Sequence, residues 1–204
     1  MAGIDIVLNT VFNNPTLPVV PIYGFTDTFD RPDGPVGVTS REAKPWIKHA
    51  YPGADIEAVI EEGKLKATGS TSWNVWAVDA KTPNGVFRAV FSGLDALGGV
   101  RVAVRAQNAT NFIVVRFLAN GVIRLAKFIS STETEVAVTS AGAWTEAGVL
   151  EVGMDGASIS VAWNGVQVIS PRTINELSGM TDHGFMMRSE SPNTRIDETA
   201  FIAG

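Results

Sequence analysis

There is no cysteine in this 204-residue chain, and only two histidines and two tyrosines. The first absence removes disulfides, thiolate metal sites and cysteine nucleophiles. The second leaves His49 and His183, which lie far apart and show no metal-ligand spacing; His183, just before Gly184, reads as a turn residue rather than a base. No run of about 18 apolar residues could span a bilayer, and the N-terminus has no basic segment followed by a signal-peptide cleavage site. That predicts a protein made in the cytosol without Sec export and without membrane insertion. Basic runs are missing as well. With 16 Lys and Arg against 21 Asp and Glu, the formal charge is −5, so there is no electrostatic footprint for nucleic acid. No Gly-rich phosphate loop or nucleophile elbow is present.

Alternation of apolar and polar residues dominates what remains. From Gly148 to Ser170, Leu150, Val152 and Met154 alternate with Val149, Glu151 and Gly153 up to Asp155-Gly156. Ile159, Val161 and Trp163 then alternate with Ser158, Ser160 and Ala162 up to Asn164-Gly165. Such pairs are strong hairpin signals, so three antiparallel strands are expected here. Segments 72–80, 85–94, 98–106, 111–118, 121–129, 184–189 and 195–203 repeat the pattern at short spacing. In the third of these, Val100, Val102 and Val104 are expected to face a core, with Arg101 and Arg105 toward water. The polar stretch STETEVAVTSAGAWTEA reads as a crossover, and Ile174 to Leu177 as a link of at most one helical turn. With 20 Gly, 10 Pro and no helical period, the expected class is all-β: an antiparallel two-sheet sandwich.

Residues 1–24 differ. Asp5 is their one charged side chain, and Pro15, Pro18 and Pro21 favour an extended path. The segment reads as an arm on a domain spanning 25–204. Val11, Phe12, Leu17, Val19, Val20 and Ile22 are its candidate docking residues, toward either its own domain or a neighbouring subunit.

The order of pieces resembles the concanavalin A-like lectin/glucanase jelly roll, in the form related to laminin G-like domains. Four stretches carry the resemblance: Asp27-Thr28-Phe29-Asp30-Arg31-Pro32-Asp33-Gly34, the paired long strands of the middle, Ile159-Ser160-Val161-Ala162-Trp163-Asn164-Gly165, and His183-Gly184-Phe185 with Ile196-Asp197-Glu198-Thr199-Ala200-Phe201. It covers residues 25 to 203. Openings of this kind resemble those in minor tail and adhesin proteins of tailed phages of actinobacteria. That implies a structural or adhesion component of a virion, docked to other virion proteins through its arm, forming a trimer or larger ring and able to contact host glycan. The alternatives are a free carbohydrate-binding lectin-like module and a capsid decoration protein.

Glucanases of this fold carry Glu-x-Asp-x-Glu on one strand face, a spacing missing here. Glu133-Thr134-Glu135 and Asp197-Glu198 are the nearest substitutes, so no catalytic residue is assigned, leaving a diverged glycan hydrolase as the remaining enzymatic reading. In the fold the first and last strands are neighbours. This raises a structural Ca²⁺ on Asp27, Asp30 and Asp197, with Asp33 nearby, against the plainer reading of turn formers and ion pairs. Among five tryptophans, Trp163 shares a face with Ile159 and Val161 and is expected inside. Trp144, in Ala-Gly-Ala-Trp-Thr, and Trp73 are the candidate platforms for a sugar ring.

Overall fold

The computed structural model describes residues 24–69, 72–94, 99–188 and 194–204. The docking residues expected at Val11, Phe12, Leu17, Val19, Val20 and Ile22 lie outside these. Among the described residues, sixteen strands form two antiparallel sheets. They are β1 Gly24–Asp27, β2 Gly34–Pro35, β3 Ile47–Ala50, β4 Glu57–Glu61, β5 Lys64–Thr68, β6 Trp73–Asp79, β7 Gly85–Gly93 and β8 Val100–Asn108, followed by β9 Asn111–Leu118, β10 Val122–Ile129, β11 Thr132–Val138, β12 Gly148–Asp155, β13 Ser158–Trp163, β14 Val166–Thr173, β15 Asp182–Arg188 and β16 Arg195–Ala203. The nine-stranded sheet runs β14-β13-β12-β7-β16-β5-β4-β2, with β1 also paired to β16; the seven-stranded sheet runs β11-β10-β9-β8-β15-β6-β3. This is the expected all-β sandwich. Among the described residues, no helix is long and apolar enough to cross a membrane.

The core lies between the sheets and follows from the alternation. Leu150, Val152 and Met154 of β12 point inward, as do Ile159, Val161 and Trp163 of β13, all 5% exposed or less. Phe87, Phe91, Phe117 and Phe185 meet them edge-on or through neighbouring rings. Each fully buried side chain of this size contributes about 1.5–3 kcal/mol relative to exposure. At the β13–β14 hairpin, Asn164 and Gly165 have φ +50° and +76°, so both central residues occupy the left-handed region that this tight connection needs.

The outer face of the seven-stranded sheet departs from expectation. Register aligns Ala77, Gly184, Ala103, Val114 and Ala126 across β6, β15, β8, β9 and β10. The alanines and Val114 are fully buried, and with Val75, Phe112, Phe128 and Met186 they form a second apolar cluster, separate from the main core. Arg101, predicted to face water, lies on this face in register with Met186 at 3% exposure, its guanidinium 3.6 Å from the Met186 sulfur. Arg105 is also fully buried. The β8–β9 register shifts between Val104 and Asn108, and Arg105 takes φ +51° there. Its side chain therefore leaves the alternation and turns to the β6–β7 connection, donating to Pro83 O and Asn84 Oδ1.

One loop expectation is corrected. Thr132–Val138 is not a crossover but β11, the edge strand against β10. Ile174 to Leu177 is a link, as expected; Ile174 is buried and its N–H donates to Ala157 O.

Candidate ligand-binding groove

On β12, inward Leu150, Val152 and Met154 leave Glu151, Gly153 and Asp155 on the outer face of the nine-stranded sheet. Register places Gly153 between Val86 of β7 and Ser160 of β13. With no side chain at Gly153, the sheet surface is bare backbone at this point. A Cβ built there would meet the Ser160 hydroxyl at 2.7 Å. Two adjoining depressions, of about 590 and 250 Å³, share Val86, Gly153 and Ser160 in their walls. Asn84, Asp155, Ser158 and Pro171 complete one end, and Glu151, Ala162 and Gln167 the other. The larger falls in the range of small-molecule sites.

The polar groups along this groove are available. Asn84 uses its oxygen to accept from the Gly156 N–H at 3.1 Å and from Arg105 at 3.4 Å, which leaves its amide hydrogens for a ligand. The side chains of Ser158, Ser160 and Gln167 have no hydrogen-bond partner among the described residues. The wall behind Asn84 is rigid. His183 stacks on Phe201 with centroids 4.4 Å apart, accepts from the Arg105 backbone N–H at 3.2 Å and lies 3.4 Å from Thr82 O. Burial, with the Arg105 charge adding to it, drives His183 down to about 3, so the ring is neutral at ordinary pH. It is a buried strand residue of β15, not the turn residue expected. Burial also lowers Arg105, and nearby Asp155 partly restores it; its Nη1 has no partner.

The tryptophans chosen from sequence lie elsewhere. Trp144 does sit in a loop, but only 9% exposed; its ring packs edge-on to Phe117 and its indole N–H donates to Leu118 O and Val122 O at 3.0 and 3.1 Å. It fills core. Trp73 is half-buried, packed between Tyr51 and Phe128, with its N–H on Ala109 O at 3.3 Å. Trp144 offers no free face, and the Trp73 ring is partly covered by Tyr51.

The three aspartates do not converge. Asp27 is fully buried and accepts two bonds from Arg31 at 2.6 and 3.0 Å, one from the Trp46 indole at 2.8 Å and one from the Phe29 N–H at 3.0 Å. Asp197 faces Lys64 at 3.0 Å and Ser92 at 2.8 Å. Asp30 is exposed, and Asp33 accepts the Glu62 N–H. Among the described residues, no three His, Asp or Glu cluster as a cation would need. The substitute carboxylates are also committed: Glu133 to Arg116, Glu135 to Arg124 and Glu198 to Arg88.

No protein-family model matches the chain, and no curated protein does. Solved structures do. A Bacillus subtilis protein of unknown function with a galectin-like fold aligns with TM-score 0.57 at 10% identity, over 88% of this chain and 96% of that one. A prokaryotic beta-1,3-1,4-glucanase (lichenase) derived from a mouse hindgut metagenome gives 0.54 at 13%, over 90% and 100%. The fold is the concanavalin A/galectin-like jelly roll. The exoplasmic/lumenal domain of VIP36, in a Ca²⁺/Man-bound form, gives 0.54 at 11%, over 89% and 90%. These jelly rolls include both a glucanase and a domain in a Ca²⁺/Man-bound form, so fold does not choose between catalysis and binding.

Proposed function

We propose that the chain is a saccharide-binding, lectin-like module without hydrolytic activity, and that the Gly153 groove is its site. The carrying observation is an elongated depression on a sheet face, floored by bare backbone and edged by uncommitted amide and hydroxyl groups. Sugar hydroxyls need such donors and acceptors. The other sheet's outer face carries a buried apolar cluster instead. Against hydrolysis stands Gly153 itself: Glu151 and Asp155 keep the outer spacing of Glu-x-Asp-x-Glu, but the central carboxylate of that pattern is missing.

A glycan array with the wild type and Gly153→Val tests this reading. A set of hits lost in the variant is expected. Absence of any hit refutes binding, and release of reducing sugar refutes the non-enzymatic assignment.

A second reading, adhesion within a virion, is favoured by the composition of residues 1–24, with one charge among three prolines and many apolar side chains. Under it, removing 1–24 abolishes incorporation into particles while sugar binding persists. Incorporation of the truncated chain rejects it.

A further inference from the structure

The groove has a one-sided electrostatic lining. Among the described residues its walls contain two carboxylate side chains, Glu151 and Asp155, and no Lys, Arg or His. Neither carboxylate has an ion-pair or hydrogen-bond partner for its side chain among the described residues. Two nearby arginines are held by other groups. Arg88 stands opposite Glu151 in the β7–β12 register but donates to Glu198 at 2.7 Å. Arg105 lies fully buried behind Asn84, its Nε and Nη2 on Pro83 O and Asn84 Oδ1, and its charge is felt at Asp155 from behind the groove. Arg172 is exposed beside Pro171 on the edge strand β14, paired in register with Ile159 and outside the groove lining. The chain as a whole carries −5.

We infer that the groove selects its saccharide by charge, taking amino-bearing oligosaccharides in preference to neutral ones and excluding acidic ones such as uronates. The inference rests on the groove being the saccharide site. An ammonium on a sugar ring gains an unpaired carboxylate at either end of Gly153. A neutral ring keeps the contacts to Asn84, Ser158, Ser160 and Gln167 without that gain. A uronate carboxylate placed here meets like charge and finds no cation in the lining, so its own desolvation goes uncompensated. The two carboxylates sit about 13 Å apart along β12, so the preference is for an oligomer bridging both rather than a single ring.

Isothermal titration calorimetry with tetramers of glucosamine, N-acetylglucosamine and galacturonic acid, in low and high salt, tests it. The glucosamine tetramer is expected to bind tightest and the galacturonate at least about tenfold weaker than the neutral tetramer, a difference of about 1.4 kcal/mol. Salt and the double variant Glu151→Gln, Asp155→Asn should both flatten the ranking, because they remove the charge and leave the groove's shape. Galacturonate binding as tightly as glucosamine, at a site still blocked by Gly153→Val, overturns the charge selection and leaves the groove standing. A ranking unchanged in the double variant overturns it too. Failure of all three tetramers, together with an empty glycan array, overturns the saccharide reading and the charge selection with it.

Discussion

His183 makes stability depend on pH in a calculable way. In the folded chain its ring is buried against Phe201, accepts the Arg105 N–H, and protonates only near 3. In the unfolded chain it reverts to about 6.5. The folded state therefore binds fewer protons than the unfolded state between these values, and stability is lost as pH falls through that window; above 6.5 this residue contributes no pH dependence. At pH 5 the loss is about 1.5 pH units at 1.36 kcal/mol each, or about 2 kcal/mol. Provided the folded value stays well below 5, the size at pH 5 is insensitive to it. Urea denaturation of the wild type and His183→Gln at pH 8, 7, 6 and 5 reads the effect. The variant will be less stable throughout, so the readout is the difference in slope: the wild type should lose about 2 kcal/mol more than the variant between pH 8 and 5. His49, 3.0 Å from Asp182, is present in both proteins and cancels. Parallel profiles would refute the buried neutral ring.

Three further substitutions or additions check the remaining assignments. Asp27→Ala strands the Arg31 guanidinium and the Trp46 indole N–H, and should cost about 3–5 kcal/mol in chemical denaturation; a cost under about 1 kcal/mol contradicts the network. Trp144→Phe keeps the ring against Phe117 and loses the N–H that serves two carbonyls, so a loss of about 1–2 kcal/mol with unchanged saccharide binding is expected. Because Arg31 occupies Asp27 and Lys64 faces Asp197, neither EDTA nor calcium should move Tm; a cation at 100 times its Kd would stabilise by about 2.7 kcal/mol and be plain to see.

Local signals served well where they decide structure locally. The β12–β14 meander was legible because side-chain alternation and the Asp-Gly and Asn-Gly turns agree. β11 was hidden because an edge strand need bury little: Thr132, Thr134 and Glu135 are exposed, and such charge on an edge discourages further pairing. Arg101 and Arg105 were misplaced because alternation tells which residues share a face, not whether water covers it. The outer face of the seven-stranded sheet carries a buried apolar cluster, and the shift after Val104 rotates Arg105 out of phase. Trp144 sits in a segment whose small residues read as surface, yet it fills core against Phe117 of β9. The groove was beyond the sequence because it combines β7, β12, β13, β14 and the C-terminal Gly204. Its one local trace is a glycine in mid-strand, flanked on the same polar face by Glu151 and Asp155. Such a glycine often marks a close approach of a ligand or another backbone.

The central claim is that saccharide binds over Gly153. Titrating the array's strongest hit into the wild type and Gly153→Val by calorimetry, with Tm recorded for both, tests it most directly. The branched side chain should fill the groove floor and abolish binding. A strand position that needs only a small turn of the Ser160 hydroxyl should keep Tm close to wild type. Undiminished binding by a folded Gly153→Val protein would contradict the site.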